Sequence, residues 1–218
     1  MAIEIKNLYK SYGRLVICQD FNIILEENKI TGILGPSGCG KTTLLNIIAG
    51  LEEYQRGTIK GLGGKTFSYI FQEDRLLPWS TVKENIRFVL DSIYDDQKAE
   101  KIANQYIDMV GLKEYAHYYP KQLSGGMKQR VAIARAFAYP ADILLMDEPF
   151  KGLDLELKTG LIQSFLKLWK QDKRTVIFVT HDMDEALSFA HYIYILEGKP
   201  LRIKEKIRNM RGVVSDRF

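Results

Sequence analysis

The sequence predicts an α/β fold in which a core of largely parallel strands carries an antiparallel β subdomain and an inserted helical subdomain. Three observations predict it. Short apolar runs typical of strands buried on both faces recur along the chain. One of them leads directly into a glycine-rich turn and a helix. Residues 73–138 carry helical signals, whereas residues 1–72 and 139–218 are rich in strands, so we expect one domain over residues 1–218 with the helical part inserted.

The antiparallel part begins at the N-terminus. Apolar and polar residues alternate over Ile3–Ile5 and near Phe21–Leu25, which predicts half-buried strands. Tyr12 stands before Gly13 at a predicted turn between them. Two interpretations of this tyrosine stay open: an exposed ring that stacks on a purine, or an aromatic residue that packs at a strand end.

The next run, Ile30–Leu34, is a buried strand by pattern, and the glycine-rich turn follows it. The turn fits G-x-x-x-x-G-K-[ST] at every fixed position, with the residues Gly35, Pro36, Ser37, Gly38, Cys39, Gly40, Lys41 and Thr42. Glycines let successive backbone N–H groups point at one anion, and the helix that follows aims its positive end at the same place. This pattern predicts a nucleotide-phosphate site.

Three side chains of this turn have predicted tasks. Lys41 reaches the β- and γ-phosphates, and the hydroxyl of Thr42 coordinates Mg²⁺. Thr43, which opens the helix that runs to Ala49, is included among the nucleotide-binding residues. We also expect the thiol of Cys39 to face the inward-pointing amides, so that alkylation of the thiol blocks nucleotide binding and bound nucleotide protects the thiol.

Two strands, Gly57–Lys60 and Phe67–Phe71, follow with a flexible glycine turn between them, and Gln72 ends the second. The proline in the segment up to Trp79 makes that segment a loop.

The helical part begins at a capping box, Thr81–Glu84, that starts a helix running towards Ile93. A further helix is predicted over Gln97–Val110, ending before Gly111.

Ser124, Gly125 and Gly126 open a helix that continues to Ala138. A helix N-terminus without bulky side chains suits a second anion. An ordinary N-cap followed by two flexible glycines explains the same residues.

The run Ile143–Glu148 reads as a parallel strand buried on both faces that ends in two acids. Neighbouring strand residues face opposite ways, so the two acids have different tasks. Asp147 is the candidate to hold Mg²⁺ through its water shell, and Glu148 the candidate to orient or deprotonate the attacking water.

Another buried strand, Thr175–Thr180, ends at His181, which is either a satisfied surface residue or a γ-phosphate contact at the carboxyl edge of the sheet. Tyr192–Leu196 and Leu201–Ile203 flank a predicted hairpin turn that closes the fold.

Composition narrows the class of protein. The net charge of +4, from 31 basic and 27 acidic residues, is mild, and we expect no nucleic-acid partner. No apolar run is long enough to span a bilayer, and we expect the protein in the cytoplasm. The two cysteines, Cys18 and Cys39, are expected to be reduced thiols. The basic stretch Arg202–Arg217 is either a solvated end or a contact with an anionic membrane surface.

Taken together, these motifs resemble ATP-binding-cassette (ABC) ATPases over nearly the whole chain. The residues that carry the resemblance are Gly35 to Thr42, Gln72, Leu123 to Met127, Ile143 to Glu148, Asp154 and His181. The resemblance implies a RecA-like phosphate-loop NTPase core that hydrolyses ATP with Mg²⁺. It also implies a head-to-tail homodimer, in which ATP on the phosphate loop of one subunit is capped by Ser124, Gly125 and Gly126 of the other.

By the same resemblance, Tyr12 stacks on adenine, Gln72 senses Mg²⁺ and the partner subunit, Asp154 couples the two sites, and His181 touches the γ-phosphate. Within the family, the segments 71–79 and 180–186 look most like importer subunits of the nitrate, sulfonate, taurine and thiamine-precursor group.

Such subunits lie at the cytoplasmic face of the membrane and dock peripherally on a separate permease, to which an extracytoplasmic binding protein delivers the solute. Trp79 then belongs to an exposed docking patch, or else packs inside the helical subdomain. The alternative function is that of a soluble ABC ATPase without a permease. The third function is that of a non-hydrolysing, nucleotide-gated scaffold.

Two positions depart from the commonest family pattern. Met127 stands where glutamine is frequent, and Lys151-Gly152 stands where small residues are usual.

Overall fold

The computed structural model describes residues 2–209, and these form two sheets flanked by helices. Nine strands and six α-helices are present in the described residues. Their bounds are β1 Ala2–Tyr12, β2 Leu15–Glu26, β3 Ile30–Leu34, α1 Lys41–Ile48, β4 Arg56–Lys60, β5 Phe67–Ile70, α2 Val82–Arg87, α3 Asp96–Met109, α4 Gly125–Ala138, β6 Ile143–Asp147, α5 Leu155–Asp172, β7 Thr175–Thr180, α6 Met183–Phe189, β8 Tyr192–Glu197 and β9 Arg202–Arg208.

The larger sheet has the order β5-β6-β7-β3-β8-β9, in which β9 alone runs antiparallel. Its central strands β3, β6 and β7 are buried along their whole length. This burial is the reason that their sequences are continuously apolar rather than alternating. The predicted α/β core of largely parallel strands is therefore confirmed.

The smaller sheet has the order β2-β1-β4 and is antiparallel throughout, as the alternating pattern predicts. The strands β4 and β5 are consecutive in the chain but belong to different sheets, since β4 pairs with β1 and β5 with β6. The segment between them carries the chain from one sheet to the other.

Alternate residues of the central strands pack into two separate hydrophobic clusters. On β6, Leu144 and Met146 join a cluster with the helices α2 to α6, whereas Ile143 and Leu145 join a cluster with α1 and the antiparallel sheet. The period of two along each strand thus places one layer on each face of the larger sheet. The ends of the strands lie between the two layers, and the connecting loops begin there.

Several predicted elements have different limits in the structure. The helix predicted to run towards Ile93 ends at Arg87. Beyond it, the carbonyl of Arg87 accepts from the amides of both Leu90 (2.7 Å) and Asp91 (3.0 Å), so bonds over three and over four residues are mixed. The side chain of Arg87 also binds Asp91 and Asp96, which ties this segment to the start of α3. Tight turns therefore replace the last part of the predicted helix.

Two helices, α5 and α6, lie outside the elements that the sequence predicts. The buried residues of α5 are Leu161, Ile162, Phe165 and Trp169, a spacing typical of an amphipathic helix. Part of the predicted basic tail, residues 202–208, is the edge strand β9, whose backbone pairs with β8 while most of its residues are exposed. Residues 210–218 lie outside the described residues. The limits of the inserted subdomain, residues 73–138, stay a prediction.

Asn85 holds the loop that precedes α2. Its buried side chain accepts a hydrogen bond from the amide of Leu77 (2.8 Å) and donates to the carbonyls of Leu77, Ser80 and Thr81 (3.1, 3.0 and 3.0 Å). Trp79 lies between the residues that Asn85 binds, and we call these four hydrogen bonds the Asn85 bracket. One side chain therefore replaces the backbone pairing that the loop lacks.

We expect Asn85→Ala to lower the free energy of unfolding by about 2–3 kcal/mol, because it removes the hydrogen bonds that Asn85 makes to the Leu77 amide and the Ser80 carbonyl and leaves a space at a buried position. Urea unfolding measures this loss. The control is Asn104→Ala on the exposed face of α3, where the side chain donates one exposed hydrogen bond to Glu100 and a change of about 0.5 kcal/mol or less is expected. Equal stability of the two variants would contradict the role of Asn85.

Candidate nucleotide site

The site lies where the parallel strands end. Because β3, β5, β6 and β7 run in one direction, their carboxyl ends meet at one edge of the larger sheet. The phosphate loop follows β3, and Gln72 comes two residues after β5, not at its last residue as predicted. Asp147 ends β6, and His181 follows β7 directly. Residues far apart in the sequence thus share one edge.

A cavity of about 260 Å³ lies at this edge. Nine of the predicted site residues line it: Ser37, Gly38, Gly40, Lys41, Thr42, Thr43, Gln72, Asp147 and Glu148. Four further lining residues were not predicted as site residues: Leu15, Ile17, Lys151 and Lys199. The two apolar ones come from β2, and Lys199 comes from the turn between β8 and β9, so only the packing of these elements against the phosphate loop reveals them.

Two glycines of the phosphate loop have no room for a side chain. Gly40 has φ +117°, and a Cβ there would lie 2.6 Å from Cγ2 of Ile17. A Cβ on Gly35 would lie 2.7 Å from the carbonyl oxygen of Leu196. The loop is therefore pressed against β2 and β8, and the open amides of the first turn of α1 face the cavity.

Lys41 is buried at the start of α1. Its ammonium donates to the carbonyls of Gly35 (2.8 Å) and Pro36 (2.9 Å). No carboxylate of residues 2–209 lies within ion-pair distance of it. A full positive charge held only by neutral carbonyls, beside open amides, is an arrangement that stabilises an anion in the cavity.

Asp147 is a buried carboxylate beside this charge. Burial raises the pKa of Asp147 above its ordinary value, although the Thr42 hydroxyl and the charge of Lys41 act in the opposite direction. The described residues contain no cluster of three or more His, Cys, Asp and Glu side chains that would hold a metal ion by themselves. A carboxylate, a hydroxyl and the Gln72 amide are hard oxygen ligands that suit Mg²⁺ when phosphate oxygens complete its shell. The donor set therefore fits this ion.

Glu148 follows β6 in the left-handed region of backbone space, with φ +48°. Its amide donates to the carbonyl of Val179 (3.0 Å), which anchors this unusual conformation to β7. One carboxylate oxygen lies 2.7 Å from Nζ of Lys151, and the other 3.3 Å from Nδ1 of His181. Burial alone would raise the pKa of Glu148, but Lys151 and His181 bring this pKa below its ordinary value. Glu148 is thus ionised and turned towards the cavity.

Tyr12 lies beside the cavity without lining it. Its register partner across the β1–β2 pair is Leu15, which does line the cavity. The ring is half exposed, and Nζ of Lys10 lies 4.4 Å from its centroid. This placement agrees with the interpretation of Tyr12 as an exposed ring that can stack on a purine.

The expectation that the Cys39 thiol faces the phosphate-binding amides is wrong. The residue is 3% exposed and packs in the hydrophobic cluster under the loop, with Ile33 and Leu44. The tight loop turns this side chain inward because the open amides face the other way. Cys18 is also buried, and both residues are free thiols, as predicted.

The remaining predicted residues lie apart from this cavity. Ser124 caps α4 by accepting from the amide of Met127 (3.3 Å), and a Cβ on Gly125 would meet nothing within 4 Å. The N-terminus of this 14-residue helix is therefore open to a ligand from outside the chain. Asp154 caps α5 through the amide of Leu157 (2.9 Å), and the next residue, Leu155, is 79% exposed.

The fold and the cavity define a phosphate-loop nucleotide-binding protein. Comparison with known proteins identifies its family: the profile described as ABC transporter matches residues 18–151. The chain belongs to the ABC transporter family as an ATP-binding cassette, and it is an ATPase.

Curated relatives cover nearly the whole chain. An aliphatic sulfonates import ATP-binding protein of Bacillus anthracis is 42% identical over 210 residues, which cover 94% of this chain and 83% of the relative. A taurine import ATP-binding protein of Escherichia coli O157:H7 is 41% identical over 213 residues, with the same two shares. The predicted resemblance to the sulfonate and taurine group is confirmed.

Solved structures share the fold. The bacterial ABC transporter cassette MJ0796, in its dimeric form, superposes with a TM-score of 0.85 at 30% identity over 94% of this chain and 98% of its own. A dimeric post-hydrolysis state of the same cassette, bound to ADP and Pi, gives a TM-score of 0.84. The predicted RecA-like phosphate-loop NTPase fold is confirmed. No helix among residues 2–209 is long and apolar enough to cross a membrane.

Proposed function

We propose that this chain is the ATP-hydrolysing subunit of an importer and that it works as a head-to-tail homodimer on a separate membrane permease. The observation that carries the proposal is the single cavity that combines the phosphate loop, Asp147 and Glu148. The importer role is supported by the relatives named for sulfonate and taurine import.

In the nucleotide site, Lys41 and the open amides of the phosphate loop hold the phosphates of ATP. Thr42, Gln72 and Asp147 hold Mg²⁺, which supplies positive charge against the phosphate oxygens. Leu15 and Ile17 line the apolar side of the cavity, and Tyr12, next to Leu15, stacks on the adenine.

For hydrolysis, Glu148 orients and deprotonates the attacking water, and His181 contacts the γ-phosphate. The strained backbone of Glu148 supports this role, because such a conformation is held in place by its neighbours and fixes the direction of the carboxylate.

The second subunit completes each site. Ser124, Gly125 and Gly126 present open amides at the start of α4 but do not line the cavity of their own chain, which supports binding to the γ-phosphate held by the partner. Asp154 couples the two sites from the start of α5. Neighbouring Leu155 is an exposed apolar residue that suits a subunit contact.

The permease-docking surface is the patch formed by Trp79 and Phe88, which are 73% and 64% exposed. The exposure of Trp79 contradicts the alternative in which it packs inside the helical subdomain. Phe88 lines a groove of about 380 Å³ with charged residues of α2. Trp79 is held by the Asn85 bracket, and two large exposed apolar side chains on a polar surface are typical of a protein contact. The subunit then lies peripherally at the cytoplasmic face of the membrane, and an extracytoplasmic solute-binding protein acts through the permease.

Affinity purification of the tagged chain from membranes tests this proposal. We expect mass spectrometry to find a permease with the parent protein and at least about tenfold less of it with Trp79→Ala, because an exposed tryptophan at a contact centre carries much of the binding energy. The control is Leu51→Ala, another exposed apolar residue, which is not part of the patch. Both variants should retain nucleotide affinity. Hydrolysis without any associated permease would favour the soluble alternative.

A further inference from the structure

Both oxygens of the Glu148 carboxylate have a side-chain nitrogen of another residue nearby. Oε2 lies 2.7 Å from Nζ of Lys151, and Oε1 lies 3.3 Å from Nδ1 of His181. A carboxylate that acts on water needs a free lone pair directed at that water. The nearby ammonium of Lys151 stabilises the negative charge of the carboxylate and therefore makes Glu148 a weaker base.

Lys151 is the movable member of this group. Its amide donates to the carbonyl of Glu148 (3.2 Å), so the backbone position is fixed by a tight turn. Its side chain is 52% exposed, against 13% for Glu148, and it has no other ion-pair partner within residues 2–209. A flexible four-carbon stem with one anchor at its tip can exchange partners at little cost.

The same ammonium borders the nucleotide cavity. Lys151 lines it together with Lys41, Thr42 and Gln72. A triphosphate in this cavity places more negative charge near Lys151 than one carboxylate does, and phosphate oxygens attract an ammonium strongly. A diphosphate held by the same loop lacks the terminal group that would reach this side of the cavity.

We propose that Lys151 distinguishes ATP from ADP by exchanging its partner. Its ammonium pairs with Glu148 in the nucleotide-free protein and transfers to the γ-phosphate when ATP binds, which frees one Glu148 oxygen for water. Lys151 is thus a specificity-determining residue that stays paired with the carboxylate until a triphosphate is present. The inference rests on the proposed function of the cavity as the ATP site.

Calorimetry with Mg²⁺–AMP-PNP, a non-hydrolysable triphosphate, and with Mg²⁺–ADP tests this exchange. We expect Lys151→Met to weaken AMP-PNP binding about tenfold and ADP binding less than about twofold, whereas Lys151→Arg keeps most of the preference. The matched control is Lys199→Met, because Lys199 lines the same cavity, with Nζ close to Gly38. It should not change the ratio of the two affinities. Equal losses for both nucleotides in Lys151→Met, or no loss, would overturn the proposal.

A double-mutant cycle with Glu148→Gln gives an independent readout. If Glu148 competes with the γ-phosphate for Lys151, Glu148→Gln should tighten AMP-PNP binding about threefold in the parent and not in the Lys151→Met background. Additive effects would contradict the exchange. The proposed function is tested separately. Turnover that survives in Glu148→Gln would exclude Glu148 as the base, and unchanged nucleotide affinity in Lys41→Ala would exclude the cavity as the ATP site. Neither result decides the outcome of the Lys151 cycle.

Discussion

Glu148→Gln is expected to lower the rate of ATP hydrolysis by about 10²- to 10⁴-fold, because the amide accepts no proton from the attacking water. ATP binding should persist, since the phosphates are held by Lys41 and the loop amides. The variant should therefore accumulate as an ATP-bound dimer. Phosphate release measures turnover, and size-exclusion chromatography with and without Mg-ATP measures the dimer.

The control for this variant is Glu156→Gln. Glu156 is an exposed acid in the first turn of α5 and does not line the nucleotide cavity. The Glu156→Gln variant should hydrolyse ATP at the parent rate. Parent-like turnover in Glu148→Gln would remove this carboxylate as the base, and it would direct attention to His181, the other group at this position.

Lys41→Ala is expected to weaken ATP binding about 100-fold, which corresponds to ~2.8 kcal/mol. The physical reason is that the ammonium supplies a buried positive charge at the phosphate loop, and charged hydrogen bonds each contribute about 1.5–3 kcal/mol. Isothermal titration calorimetry measures the dissociation constant. A dissociation constant equal to that of the parent would count against the phosphate cradle.

Two comparisons separate binding from folding for this variant. The ammonium of Lys41 also binds the carbonyls of Gly35 and Pro36, so thermal unfolding shows whether the loop itself is disturbed. Lys170→Ala, which removes an exposed lysine from α5, should change neither affinity nor stability appreciably. A loss of affinity with an unchanged melting temperature assigns the effect to the ligand contact.

Local patterns predicted much of the fold because their physical causes are local. A run such as Thr175–Thr180 must be buried, and it forms a strand with these limits in the structure. The capping box at Thr81 and the cap at Ser124 were also predicted, since each depends on residues three or fewer positions apart. The helix after Thr81 was predicted too long because its end depends on ion pairs of Arg87 with the segment before α3.

Side-chain direction was less predictable. Whether the Cys39 thiol faces ligand or core depends on how the loop lies against β2 and β8, and the structure turns it into the core. Trp79 had two interpretations for the same reason, and its exposure depends on the loop that Asn85 holds. Lys199 reaches the cavity from a hairpin almost 160 positions beyond the phosphate loop, and residue spacing in the sequence does not predict that these two segments lie together.

The sequence by itself determined the nucleotide chemistry of this protein: a contiguous phosphate loop, an acid pair at a strand end and a second glycine-opened helix. Such motifs depend on neighbouring residues, whose geometry the chain imposes directly. Only the tertiary structure decided that His181 meets Glu148. Lys151 reaches this carboxylate within a local turn, whereas His181 does so because the parallel strands β6 and β7 bring their carboxyl ends to one edge, and forces between side chains depend on distance in space, not along the chain.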